Sequence, residues 1–483
     1  MKLKELLAGV SVLECTADME LDIAGVCHDT RKQMAPGSLF VALTGFAFDG
    51  NKYIPMALEK GAAVIVTAKK PESDIPYVLV ESDRLALAQI GANYYGHPAR
   101  SMTMIGITGT NGKTSTTLLL KHVLEVTLGA KVGLIGTMEN LIGDCVIPTE
   151  RTTPESFELQ GLFAQMRDAG CTHVVMEVSS HAVALHRVGG VHYDVAAFTN
   201  LTEDHLDFHK TMEAYCDAKA ELFAHCDKAV INLDSPWAER FNARAPESRI
   251  RYSMEKPAEL YASDAELRSD GVSFIAHYGE ETATVSLPIP GGFAVSNALT
   301  TLGVALQLGI KLSEAAAALK TAKGVRGRVE VVPTPGKPYT VLIDYAHTPD
   351  GLENVLGSVQ TYCKGRLIAV FGCGGDRDPI KRPIMGKIGV EMADLAVITS
   401  DNPRTEDPEA IIEDIVKGLP EGAKNYVVIC DRRKAIRYAM DIATKDDIIV
   451  LAGKGHETYQ EINGVKHHLD EREEVTAHLM EMR

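Results

Sequence analysis

The sequence predicts an α/β protein of three domains, and three observations carry that expectation. The chain has 483 residues, and at roughly 100–200 residues per domain that length accommodates about three. Short apolar runs alternate with turns and helical stretches, the pattern of a mostly parallel sheet with helices between its strands. Several of these runs feed loops rich in glycine or charge, and open α/β sheets bind ligands at the carboxyl ends of their strands.

The first domain is expected over residues 1–99, with strands at 38–43 and 62–66 and a boundary at Gly96-His97-Pro98. The second, 100–332, opens with the apolar run 104–107, a glycine-rich turn, and a helix carrying Leu119, Leu120, Val123 and Leu124 at helical spacing. Strand-then-turn units follow at 172–179 and 194–200. The third, 333–483, has buried-strand candidates at 367–371, 395–399, 426–430 and 448–451. Three of these lead into the loops 372–378, 400–404 and 453–457.

Composition narrows the function classes. A formal net charge of −16 argues against nucleic acid or an anionic membrane surface as partner, while clustered Arg and Lys leave a small anionic substrate open. Nine cysteines without a Cys-x-x-Cys pair point to a reduced compartment and small apolar thiols, not a zinc site or a disulfide framework. The opening Met1–Leu7 lacks the apolar core and cleavage site of a signal peptide, and no run approaches 18 apolar residues. A cytoplasmic protein without a membrane span is therefore expected.

The sharpest local signal is Gly109-Thr110-Asn111-Gly112-Lys113-Thr114-Ser115, after an apolar strand and before a helix. Backbone N–H groups at such a helix start cradle phosphate oxygens, and glycines let the backbone approach. Lys113 would neutralise β- and γ-phosphates, and the Thr114 hydroxyl would reach Mg²⁺. The general phosphate-loop spacing asks for Gly at position 107; this chain has Ile107, with glycines at 106 and 109. A plain strand-to-helix turn is the bland alternative. Glu177 ends a buried-looking strand, where a carboxylate needs a partner. Magnesium held together with Thr114 would supply one, and so would an ordinary salt bridge. Residue type alone makes His205 a surface or core histidine, and Lys219 a solvated helical charge.

The loop 109–114 resembles that of the Mur ligases, the ATP-dependent ligases of peptidoglycan precursor synthesis. Further pieces match the same family in the same order: Met176-Glu177-Val178-Ser179-Ser180-His181, Thr199-Asn200-Leu201, Asp204-His205-Leu206-Asp207, Ala218-Lys219, Asn297, Gly327-Arg328 and Asp344-Tyr345-Ala346-His347-Thr348-Pro349. The resemblance spans essentially the whole chain. It implies an N-terminal α/β domain that binds UDP, a central ATP-binding domain with the phosphate loop, and a C-terminal Rossmann-like domain that receives an amino acid. It also implies that His205 ligates a second Mg²⁺. Lys219, carbamylated by CO₂, becomes an anionic ligand alongside Thr114 and Glu177. Asn297 would contact adenine, Arg328 the ATP phosphates and Asp344 the ribose.

Within that family, Asp401-Asn402-Pro403-Arg404 resembles the signature of the MurE type, which adds meso-diaminopimelate. The extra carboxylate of diaminopimelate, absent from lysine, suits the bidentate fork of Arg404. Arg377, Gly453 and Glu457 resemble its remaining amino-acid contacts, with Glu457 facing an ammonium. His28-Asp29-Thr30-Arg31 is similar to the family's Asp-Ser-Arg loop, Thr30 keeping the hydroxyl, while His28 has no assigned role. Thr152 and Thr153 of the segment Glu150–Pro154, with Ser179 and Arg187, would hold the peptide of a UDP-MurNAc-dipeptide. The resemblance thus implies formation of an amide through an acyl phosphate, by a monomer whose partners are small molecules. The rival readings are a folylpolyglutamate synthetase-like ligase and a binding protein that uses ATP as a switch.

Overall fold

The computed structural model describes residues 1–45, 49–149, 151–255 and 257–482, and of Asp207 the backbone alone. These residues form two compact units, one of residues 1–261 with 299–315, the other of residues 262–298 with 316–483.

The first unit contains two sheets. Its N-terminal sheet runs in the order Val12–Cys15, Tyr77–Val80, Ala62–Thr67, Ser38–Val41, Val26–Cys27. Only the first of these strands is antiparallel to its neighbour. Leu39, Val41, Val64 and Val66 enter one apolar cluster, while Phe40 and Ile65 enter another. That alternation is what the period-2 side-chain direction of a strand imposes when both faces are covered.

In the second sheet, Thr103–Thr108 lies between His173–Glu177 and Tyr193–Phe198, parallel to both. Val132–Ile135 extends the sheet beyond the former; Cys226–Asn232 and Arg249–Ser253 extend it beyond the latter. Thr103–Thr108, the strand that delivers the glycine-rich loop, is thus central. Helix Lys113–Leu128 follows, its face Leu119, Leu120, Val123 and Leu124 buried as the spacing predicts. The expected strands at 172–179 and 194–200 are shorter, His173–Glu177 and Tyr193–Phe198. Each stops where its loop begins to make side-chain contacts.

The second unit carries a six-stranded sheet in the order Glu330–Val332, Thr340–Asp344, Ile448–Ala452, Leu367–Phe371, Leu395–Ile398, Tyr426–Val428. All pairs but the first are parallel. Ile448, Val450 and Ala452 face one core, Ile449 and Leu451 the other. A doubly covered parallel strand therefore reads as an unbroken apolar run. The hairpin Gly271–Tyr278 with Glu281–Leu287 had no counterpart in the sequence reading, because its buried Val272, Phe274, Ala276, Val285 and Leu287 alternate with less buried residues and form no unbroken apolar run. All nine cysteines are free thiols and five are buried, consistent with use as small apolar residues. Among the described residues no helix is long and apolar enough to cross a membrane.

Candidate active site

The central loop of the first unit is built for close backbone approach. Gly109 has φ +147, and a Cβ there would stand 2.0 Å from Thr199 Oγ1. Gly112 has φ +83 and caps helix Lys113–Leu128 from the left-handed region, a conformation glycine adopts without strain. Thr199 and Asn200 buttress the loop from the next strand end. Thr199 Oγ1 donates to Asn111 O at 2.6 Å, and the Asn111 and Thr110 N–H groups donate to Asn200 Oδ1 and Asn200 O at 2.9 and 2.8 Å. Thr110 Oγ1 lies 3.2 Å from the Tyr215 hydroxyl, which burial pushes up to about 12.

Two ammonium groups meet on one carbonyl oxygen. Lys113 Nζ donates to Gly109 O at 2.9 Å and to Thr110 O at 2.8 Å. Lys219 Nζ donates to Gly109 O at 2.8 Å. The residue-type expectation of a solvated Lys219 is overturned: it is 1% exposed, on the inner face of helix Met212–Ala220, with Nζ 4.7 Å from the Tyr215 ring centroid. Burial, and then the neighbouring Lys113 cation, hold its pKa well below the ordinary 10.5, against the pull of Asp204. Burial also lowers Lys113, opposed by Glu177 and Asp204. Both lysines thus carry their charge at a cost, which a bound anion would offset.

Glu177 is 1% exposed and surrounded by hydroxyls. Thr114 Oγ1 donates to its Oε1 at 2.8 Å. The Thr137 N–H and Oγ1 donate to Oε1 and Oε2 at 3.0 and 2.8 Å. Among the described residues no Lys, Arg or His forms an ion pair with this carboxylate, so they do not supply the salt-bridge alternative. Thr137 Oγ1 also lies 3.0 Å from Thr152 Oγ1. Thr153 Oγ1 donates to Glu177 O at 2.9 Å and accepts the Ser179 N–H at 3.3 Å. Ser179 caps helix Ser180–Ala184, and Arg187 Nη1 donates to Thr153 O at 3.4 Å. Glu155 lies 3.4 Å from both Arg187 and Arg84 and 3.7 Å from Arg151. Thr114, Thr152, Thr153, Glu177, Ser179 and Arg187, distant in sequence, are thereby gathered. Glu150 lies outside the described residues. Ser115 sits in the first turn of helix Lys113–Leu128, half-buried.

His205 stands apart from this group, half exposed, with φ +55 and its ring Nε2 3.5 Å from Asp204 Oδ2. Its ring packs edge-on against His181 at 4.8 Å and lies 6.1 Å from that of Tyr215. His205 and Lys219 thus share Tyr215 as a neighbour. Thr137 and Tyr215 were not singled out from the sequence. A β-propensity threonine after a strand and a helical tyrosine carry no local signal of what they touch.

Thr30 belongs to a different part of this unit. It is buried, and Lys60 Nζ donates to its carbonyl oxygen. The Arg31 guanidinium holds Asp29 at about 2. His28 Nε2 lies 2.9 and 3.0 Å from the two oxygens of Glu158. Burial opposes ionisation of Glu158, but His28 and Lys32 hold it at about 2. His28, Asp29, Arg31, Lys32 and Glu158 line a cavity of about 560 Å³ together with Thr149, Arg151 and Pro154, while Thr30 itself is not in its lining. The cavity thus joins the Thr30 loop to the segment carrying Thr152 and Thr153.

In the second unit, Arg377, Asp401, Asn402, Arg404, Gly453 and Glu457 line one pocket of about 250 Å³, with Tyr345, His347 and Lys381. Arg404 takes φ +54 and donates from Nη1 to Gly375 O at 2.8 Å; its Nε lies 3.5 Å from Glu461. Asn402 Nδ2 and the fully buried Lys454 Nζ both donate to Glu457 Oε2, at 2.9 and 3.0 Å. Lys454 also donates to Asn402 Oδ1 at 3.0 Å. Gly453 has φ +118, and a Cβ there would meet Asp401 Oδ2 at 2.5 Å. That oxygen is buried without a partner. Pro403 is buried behind the pocket. Asp344 accepts the Val329 and Ala346 N–H groups, both at 2.8 Å. Burial raises its pKa against these bonds and the nearby Arg328. The Arg328 guanidinium lies 5.4 Å from the Tyr345 ring. Asn297 is buried in helix Gly292–Gln307.

The chain matches three family descriptions in succession: Mur ligase family, catalytic domain, over residues 22–95; Mur ligase middle domain over 107–305; and Mur ligase, glutamate ligase domain over 327–455. It is 46% identical to the UDP-N-acetylmuramoyl-L-alanyl-D-glutamate--2,6-diaminopimelate ligase of Clostridium tetani, over 100% of both chains. A solved structure of a ligase of the same name aligns with TM-score 0.77 at 31% identity, covering 100% of this chain and 99% of that one. The MurF ligase of Thermotoga maritima, solved in complex with ADP, shares the fold with TM-score 0.60 at 20% identity, covering 95% and 98%. With its three matched segments and a full-length relative at this identity, the chain belongs to the Mur ligase family.

Proposed function

We propose that this protein is the ATP-dependent ligase that joins meso-diaminopimelate to UDP-N-acetylmuramoyl-L-alanyl-D-glutamate, releasing the UDP-tripeptide, ADP and phosphate. The observation that carries the reading is the 250 Å³ pocket in which Arg377 and Arg404 face Asp401 and Glu457. A pocket with two guanidiniums and two carboxylates complements a small molecule bearing two carboxylates and two ammoniums. Lysine would leave one guanidinium without its acid.

The central loop does the activating. Its N–H groups and Lys113 bind the ATP phosphates, while Thr152, Thr153, Ser179 and Arg187 orient the dipeptide so that its terminal carboxylate meets the γ-phosphate and becomes an acyl phosphate. Asn297, Arg328 and Asp344 hold the adenosine and phosphates, and the Thr30 loop holds the uridine end. Glu457, with its Oε2 already taken by Asn402 and Lys454, keeps Oε1 for an ammonium of the incoming amino acid, whose other amine then attacks the activated carbonyl.

The donor set fits Mg²⁺. Among the described residues Glu177 is a buried carboxylate with no Lys, Arg or His paired to it, touching the hydroxyl of Thr114, and oxygen donors are what that ion prefers. Thr114 and Glu177 would hold one ion, His205 and a carbamylated Lys219 a second. When bound, the metal neutralises charge between triphosphate and carboxylate. Lys219 is suited to carbamylation because only a neutral amine attacks CO₂, and its surroundings disfavour the ammonium. The division proposed is 1–99 for UDP, 100–332 for ATP and 333–483 for the amino acid; matched segments 22–95 and 107–305 fall within the first two, and the third begins at 327. The protein is proposed to act as a cytoplasmic monomer.

ADP release tests the reading against an ATP switch. It should require all three substrates, and sustained ADP release without the dipeptide or the amino acid would contradict the proposal.

A further inference from the structure

Two of the loops that line the amino-acid pocket leave strands that are not neighbours. Residues 400–404 follow Leu395–Ile398 and residues 453–457 follow Ile448–Ala452, with Leu367–Phe371 between them in the sheet. Ladders to the intervening strand hold the two strands, but they end where the loops begin. Asn402, Lys454 and Glu457 link the loops farther out, and a buried guanidinium links them at their bases. Arg432 Nη2 donates to Ala452 O at 2.8 Å, and Nη1 reaches Ser400 O at 3.4 Å. Those are the carbonyls immediately before Gly453 and Asp401. Arg432 Nη2 would also lie 3.9 Å from a Cβ on Gly453.

Arg432 is held in turn by Glu471, with Nε and Nη2 both 2.8 Å from Glu471 Oε1 and both side chains 0% exposed. Arg432 and Glu471 are each the first residue of a helix, behind the caps Asp431 and Asp470. A buried charge pair is a weak stabiliser, because desolvation offsets the attraction. What the planar fork supplies that an apolar pair cannot is two fixed donor directions. We propose that Arg432, anchored by Glu471, is a positioning residue that sets the spacing of loops 400–404 and 453–457, and so the width of the diaminopimelate pocket. The inference rests on the proposed function for the identity of the ligand, but not for the geometry.

Two measurements separate the two. In the ligand-free full-length protein, Arg432→Lys should raise amide exchange in 400–404 and 453–457 together, roughly tenfold or more, while 367–371 stays protected. Unchanged exchange, or a uniform rise across the whole unit, overturns the positioning role whatever the ligand. In turnover, the double variant Arg432→Met with Glu471→Leu replaces the pair by apolar groups. It should melt cooperatively and raise the KM for meso-diaminopimelate roughly tenfold, with kcat and the KM for ATP little changed. A folded double variant with unaltered diaminopimelate KM overturns it as well. Wild type failing to use diaminopimelate would instead refute the proposed function and leave the exchange result to decide.

Discussion

Replacing Lys219 by methionine should separate stability from activity. Methionine keeps most of the buried stem, whose methylenes are worth about 0.8 kcal/mol each, and removes an amine whose charged form is disfavoured at its 1% exposed site. Gly109 O keeps the Lys113 donor at 2.9 Å, so no buried carbonyl is left bare. Above pH 10.5, where the amine is neutral in both states, the net change in unfolding free energy should stay within about 1 kcal/mol of wild type, and toward neutral pH the variant should become the more stable. Turnover should fall by about 10²–10³, the effect of losing one preorganised charged group at the reacting phosphate. The pH dependence has a definite sign. With a folded pKa below 10.5, the unfolded chain binds the extra proton. Lys219 therefore costs the wild type increasing stability as pH falls from 10.5 through the folded pKa, at up to about 1.4 kcal/mol per pH unit. Paired denaturant titrations of wild type and Lys219→Met should show their difference shifting in favour of the wild type as pH rises. ADP release by Lys219→Ala should recover in part with added formate or acetate, and wild-type turnover should fall in CO₂-free buffer. A methionine variant with near-normal turnover would remove Lys219 from the mechanism.

Arg404→Ala should raise the diaminopimelate KM by roughly 30- to 150-fold, the loss of about 2–3 kcal/mol for a charged hydrogen-bonded contact, and leave the ATP KM nearly unchanged. The lower part of that range is favoured, because Arg404 is partly exposed and already engages Gly375 O and Glu461. Equal effects on both substrates, measured by steady-state kinetics, would count against the pocket assignment. Glu177→Gln keeps an oxygen for the Thr114 and Thr137 donors, which both reach Oε1. It should melt within a few degrees of wild type, yet lose roughly 10² or more in kcat, and added Mg²⁺ should not restore it. Full activity would show that the carboxylate serves packing alone.

Much of the fold was legible because it follows from local patterns. The unbroken apolar runs at 367–371 and 448–451 could only be buried parallel strands, and the glycine-rich turn after 104–107 announced a strand-to-helix loop. The hairpin Gly271–Leu287 escaped because its buried residues, Val272, Phe274, Ala276, Val285 and Leu287, alternate with less buried ones. At the site, chemistry-bearing loops were visible but their partners were not. Lys219 looked solvated, but its helix turns it onto Gly109 O, beside the ring of Tyr215 one helical turn earlier. Thr137 reaches Glu177 from 40 positions away, and Arg432 reaches Glu471 from 39. Such pairs depend on strand order, which one sequence does not state. His28 found a partner in Glu158 that nothing in its own neighbourhood announced.

The most direct test compares two amino acids. With ATP and the UDP-muramoyl dipeptide held saturating, the purified protein is supplied with meso-diaminopimelate or with L-lysine, and ADP and the UDP-linked product are quantified together. Diaminopimelate should be ligated with a kcat/KM at least about 10² above that of lysine, and each ADP should be matched by one tripeptide. Equal use of both amino acids, or ADP formed without tripeptide, would contradict the account.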